Sequence, residues 1–166
     1  MKISNSFIIN RTFNAPRELV WQVWTQAEHL AQWFGPTGFT TRVIKMDLQP
    51  GGMFHYHMIN KDGFEMWAKW IFRDIVAPEK ISLLQSFSDP SGGLGNHPGD
   101  TSWPNYTLST MTFTEINQQT HFHLEWQPYE ATDEEIEAFN NAFDDMHKGW
   151  GLTLDQLDNY LAALTH

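Results

Sequence analysis

At 166 residues the chain is sized for one domain spanning 1–166, and 41% hydrophobic against 18% charged residues excludes intrinsic disorder. Ten Lys and Arg against twenty Asp and Glu leave a formal charge of −10, which repels phosphate backbones and anionic lipid surfaces and argues against a nucleic-acid partner. The lack of cysteine removes disulfides, thiolate metal sites and cysteine nucleophiles together. The opening Met1-Lys2-Ile3-Ser4-Asn5-Ser6 has no apolar signal core, and no apolar run is long enough to span a membrane, so the expected location is the cytoplasm. Eight Trp, twelve Phe and four Tyr are the unusual feature, since such rings either fill a core or wall a concave ligand site.

Phe7 to Phe13 reads as a β-branched and aromatic strand, and Asn14-Ala15-Pro16 offers an N-cap followed by a Pro near the first helical turn. Leu19, Val20, Val23 and Trp24 fall at helical spacing, and a second short pattern through Leu30, Trp33 and Phe34 stops at Gly35-Pro36. From Phe39 the period changes to two, with Ile44, Met46 and Leu48 expected on one face until Pro50-Gly51-Gly52 turns the chain. The next strand sets Phe54, Tyr56 and Met58 against His55, His57 and Ile59, and Asn60-Lys61-Asp62-Gly63 closes a hairpin. Phe64, Met66, Ala68, Trp70 and Phe72 form the inner face of a third strand, with Trp67 an exception on the outer one.

Strands at Ile81 to Phe87, Tyr106 to Ile116 and Thr120 to Gln127 complete an antiparallel meander. The Gly- and Pro-rich stretch from Ser88 to Trp103 is long for a connection and is expected to lie as a lid over a cavity mouth. Its Ser91-Gly92-Gly93-Leu94-Gly95 is no phosphate cradle, because no Gly-Lys-Ser/Thr and no helix follow. Thr132-Asp133-Glu134-Glu135 opens a helix, and the acids there and at Glu130 and Glu137 are a solvated helix start. Ile136, Phe139, Phe143, Met146, Trp150, Leu154, Leu157 and Leu161 then form one apolar stripe, expected to be a single long helix in which Gly149 and Gly151 answer to close packing.

Several of these segments resemble the proteins related to the activator of the 90-kDa heat-shock-protein ATPase. Arg11-Thr12-Phe13-Asn14-Ala15-Pro16 with Val20-Trp21, and Ala27-Glu28-His29-Leu30 with Trp33-Phe34-Gly35-Pro36, are similar to that family's opening. Asp47-Leu48-Gln49-Pro50-Gly51-Gly52 resembles its Asp-x-Arg-x-Gly-Gly turn, with Gln49 where the family usually has Arg, and Ala77-Pro78-Glu79-Lys80-Ile81 resembles its Pro-Glu-Arg-Leu step. Gly149-Trp150, Leu154-Asp155-Gln156-Leu157 and Tyr160-Leu161 are similar to its C-terminal helix. The resemblance implies an α+β helix-grip fold, in which an antiparallel sheet of about seven strands wraps a long helix around an apolar cavity, as in the START and birch-pollen-allergen superfamily. That fold serves lipid carriers, hormone receptors, cyclases and co-chaperone domains alike, so it does not decide function.

The residues expected to line the cavity are Phe54, Tyr56, Met58, Met66, Trp70, Met111, Phe113, Phe122, Trp126, Phe143 and Trp150, each on the face that carries the larger apolar set, with Tyr56 as the hydrogen-bonding handle. Such a lining suits a small hydrophobic guest that is lipid-, flavonoid- or polyketide-like. It offers hydroxyls that orient a ligand and no paired acid and base for catalysis. No cofactor and no metal are expected, because the pairs His55/His57 and His121/His123 lie opposite the apolar sets and should face solvent. A chaperone-binding module is the alternative that the resemblance offers and a cyclase or hydrolase the next; a second copy of the chain, as a homodimer, is a further candidate partner.

Overall fold

A computed structural model of the chain describes residues 6–97, 99 and 102–165; Met1 to Asn5, residues 98, 100 and 101 of the long loop, and His166 lie outside it. The elements in order are β1 (Phe7–Phe13), α1 (Arg17–Thr25), α2 (Ala27–Trp33), β2 (Phe39–Met46), β3 (Met53–Asn60), β4 (Glu65–Val76), β5 (Lys80–Phe87), β6 (Tyr106–Ile116), β7 (Gln119–Tyr129), α3 (Asp133–Asn141) and α4 (Phe143–Leu164). Strands β2 to β7 are sequential antiparallel neighbours and β1 closes the far side against β7, giving the order β1-β7-β6-β5-β4-β3-β2. The curled seven-stranded sheet grips the C-terminal helix, which is the helix-grip arrangement.

Local chemistry explains the corners. Asn117 and Gln118 both take positive φ, 53° and 66°, and so form the primed type of two-residue turn that suits the twist of β6 and β7. At the β2–β3 turn a Cβ on Gly52 would stand 2.1 Å from the Asp47 carbonyl oxygen, so only glycine fits there. Gln49, in the place of the family's Arg, donates from Nε2 to Asp47 Oδ2 at 2.9 Å and keeps a bond within that corner.

Four local expectations are corrected. The N-cap of α1 is Pro16 rather than Asn14, and no side chain caps it. In β2 a bulge between Val43 and Lys45 breaks the alternation, so Thr41, Val43 and Met46 turn inward while Ile44 and Leu48 are exposed. The C-terminal stripe is two helices, not one. Thr132 and Glu135 form the capping box of α3, and the chain breaks at Ala142 (φ −96°, ψ 4°), whose N–H bonds to Phe139 three residues back. Weak helix formers Asn140 and Asn141 precede the break. Finally, nothing lies within 4 Å of a Cβ built on Gly149 or Gly151, so close packing is not what selects glycine there.

The break splits the apolar residues into two clusters. Phe7, Trp126, Phe139 and Met146 form the smaller one beneath the α3–α4 junction. The larger runs from α1 and α2 across the sheet to Leu154, Leu157 and Leu161. At its centre Trp24 stacks on Phe122 (4.9 Å between ring centres, 14° between planes), meets Trp33 edge-on at 4.8 Å and lies parallel to Trp150 at 6.3 Å. Across the molecule Arg11 of β1 binds Asp155 and Asp158, and His29 bonds Tyr160 at 2.7 Å, so α4 is tied at the sheet edge and at α2. Truncating Trp24 to Ala should cost about 3–5 kcal/mol, as for other large-to-small changes at fully buried rings, read from the midpoint of urea unfolding; a loss below about 1 kcal/mol would mean that the ring is not the centre of the core.

Candidate ligand-binding groove

A groove lies at one end of the molecule, where the α3–α4 junction leans over the ends of β5 and β7 and the loop before β6 folds back toward them. This groove has a volume of about 550 Å³. One side is helical, with Ala138, Asn141, Ala142, Asp145, Met146, Gly149, Trp150 and Thr153, and the other is made by Phe87, Trp126, His97, Gly99 and Trp103, with Pro36 at the rim. Small residues on the helices leave the room, and large rings on the other side wall it. Trp103 joins the loop to the second cluster, 5.6 Å from Phe139, 6.2 Å from Trp126 and 5.0 Å from His97. Trp126 is nine-tenths buried and its indole N–H has no hydrogen-bond partner.

Of the residues expected to line a cavity, Trp126 and Trp150 line this groove. Trp70, Met111 and Trp150 border a separate void of only about 10 Å³ between the sheet and α4, at the threshold for one water. Trp150 therefore stands between the groove and that void. Phe54, Tyr56, Met58, Phe113 and Phe122 are buried in the main core, Met66 packs half-buried against it, and Phe143 is packed edge-on between Phe7 and Phe139 at 5.7 Å from each. Tyr56 is fully enclosed, and burial pushes its phenol far above the usual range, a shift that the neighbouring side chains of Trp70 and Gln85 oppose. Phe87, His97, Trp103 and the small residues of α3 and α4 were not singled out from sequence. A lone Trp in a loop of Gly, Pro and Asp is the signal that points to one of them.

The outer face of the sheet departs most from expectation. His121 and His123 do reach the surface, bonded across the β1–β7 pair to Thr12 (2.9 Å) and Asn10 (2.7 Å). His55 and His57, however, are buried, at 3% and 8% exposure. The first part of the long loop lies on His55: Ser88 bridges to Leu94, Lys69 Nζ donates to the Gly92 carbonyl at 2.9 Å, and His55 Nε2 pairs with Ser88 Oγ at 3.1 Å. Trp67, the outward exception on β4, stacks on His57 at 4.3 Å, and Glu65 stands 3.4 Å from His57 Nε2. This stretch is thus a strap on the outer face, and the lid reading holds only for His97, Gly99 and Trp103, which do wall the groove. Among the described residues no group of three or more His, Asp or Glu is placed to hold a metal.

Burial lowers the His55 pKa below its ordinary value, Asp89 opposes that shift, and the neighbouring Lys69 adds to it. An imidazole whose folded pKa is lowered gives stability that is full above its unfolded value of about 6.5 and is lost as pH falls through the window between the two. Unfolding free energy should therefore fall as pH drops below about 6.5, and His55→Gln should flatten that slope. An unchanged slope in the variant would mean that His55 titrates alike in both states.

An antiparallel sheet gripping a C-terminal helix defines a helix-grip protein, and the family model called activator of Hsp90 ATPase homolog 1-like protein matches residues 14–162. The chain belongs to that family. Among solved structures it is similar to a protein of Arthrobacter aurescens (24% identity, TM-score 0.78, covering 95% of this chain and 86% of that one). It is also similar to protein Ms6760 of Mycobacterium smegmatis (24%, 0.75, 94% and 90%) and to a Silicibacter pomeroyi protein titled with the same family (18%, 0.69, 98% and 100%). At these identities the likeness carries the fold alone. No curated protein matches the chain.

Proposed function

We propose that the protein binds a small hydrophobic molecule in the groove between the α3–α4 junction and the ends of β5 and β7. One observation carries this reading: a space of about 550 Å³ is walled by Phe87, Trp103, Trp126, Met146 and Trp150, while only about 10 Å³ is open between the sheet and α4. That volume is in the range of ligand sites, and its lining of large apolar side chains with a few polar groups has their composition. The guest enters at the end of the grip and not between sheet and helix, where Trp24, Phe122 and Trp150 already occupy the width. Tyr56, enclosed in the main core, does not reach the groove and cannot serve a guest there as a hydrogen-bonding handle. Met146 gives the wall an adaptable side chain.

Titration with the neutral fluorescent probe N-phenyl-1-naphthylamine should quench tryptophan emission saturably, with an affinity of roughly micromolar order, about −8 kcal/mol. Ala138→Phe, which places a ring in the groove at a half-buried helix position, should weaken the probe at least about tenfold with little change in thermal midpoint. No saturable binding by the unmodified protein, or equal binding by the variant, contradicts the groove as the site. If the probe fails while the 90-kDa heat-shock protein binds the purified chain, the chaperone-module reading takes its place.

A further inference from the structure

Resting on that reading of the groove, we propose that its guest is an apolar cation, an aromatic or aliphatic molecule with an ammonium group, and not a fatty-acid-like anion. Among the described residues that line the groove, Asp145 is the one with a fixed formal charge, and no Lys or Arg is among them. Its carboxylate makes no ion pair with the described cations, and Lys148, one turn further along α4, is exposed and does not line the groove. Three indoles, of Trp103, Trp126 and Trp150, share the same space. Indole faces attract an ammonium group through the ring quadrupole, by an interaction that strengthens as water is excluded. An anionic head group would meet the opposite: a carboxylate at the wall and the field of a chain whose formal charge is −10.

Asp145 has a second reason to be where it is. It lies in the first turn of α4, where a helix favours negative charge. The two roles part company in one experiment. Three probes with one skeleton, 2-naphthylmethylammonium, 2-naphthalenemethanol and 2-naphthoate, are titrated by calorimetry into the full chain and into Asp145→Asn at low and at physiological salt. The cation should bind roughly fivefold to tenfold more tightly than the alcohol, the anion should bind more weakly than both, and Asp145→Asn should bring the cation to within about twofold of the alcohol while leaving the alcohol unchanged. If the alcohol binds but the three probes bind alike, or the anion binds best, the cation inference is overturned and the groove survives. A preference for the cation that persists undiminished in Asp145→Asn assigns it to the rings and net charge and overturns the role given to Asp145. A variant that loses only thermal stability leaves Asp145 a helix-start residue alone. Failure of all three probes removes the groove reading itself, and the inference with it.

Discussion

The indole of Trp24 is held between the sheet and the C-terminal helix, stacked on Phe122 and parallel to Trp150, and the rest of the molecule is arranged around that stack. A ring brought in by α1 fills the space that a curled sheet and a gripped helix would otherwise leave open. Interiors at crystal-like density have no tolerance for a second occupant in the same width. Between the sheet and α4 a void of about 10 Å³ remains, whereas room of about 550 Å³ lies at the end of the grip. The break at Ala142 contributes to the same outcome: by ending α3 one residue before α4 begins, it sets a separate apolar cluster under the junction and leaves small side chains facing the groove.

The long connection between β5 and β6 does two jobs in sequence. Its first part is strapped to the outer face through the Lys69–Gly92 and His55–Ser88 contacts, and its later residues His97, Gly99 and Trp103 reach round to wall the groove. Burying His55 and Lys69 under the strap, and His57 beneath Trp67, is costly for groups that prefer water, and hydrogen bonds and the Trp67 stack offset that cost in part. This makes the outer face of β3 and β4 a second buried layer, which few antiparallel sheets have.

The sequence was informative where periodicity and turn chemistry act locally. The strands, the two short helices, the capping box at Thr132 and the inward sets Phe54/Tyr56/Met58 and Ala68/Trp70/Phe72 follow from alternation and caps, and the family's motifs pointed to the fold. It was silent where long-range packing decides. A strand covered on both faces alternates His and apolar residues just as a half-exposed strand does, so nothing in β3 signalled that a loop more than thirty residues away would bury His55. A bulge shifts parity without a sequence mark, which is why Ile44 lies on the face opposite to the one that strict alternation implies. Whether rings surround a cavity or fill it depends on whether another element inserts one between them, and Trp24 in α1 does.

The claim at the centre is that the guest occupies the end of the grip and not its interior. The most direct measurement is the amide and indole N–H spectrum of the ¹⁵N-labelled protein, recorded while N-phenyl-1-naphthylamine is added. The indole signals of Trp103, Trp126 and Trp150 should move saturably with one shared affinity, while Trp33, whose N–H is bonded to Val23 O at 2.9 Å, and Trp67 on the outer face stay in place. Shifts centred on Trp33 and Trp70 with the groove indoles unmoved would place the guest between sheet and helix and contradict this account.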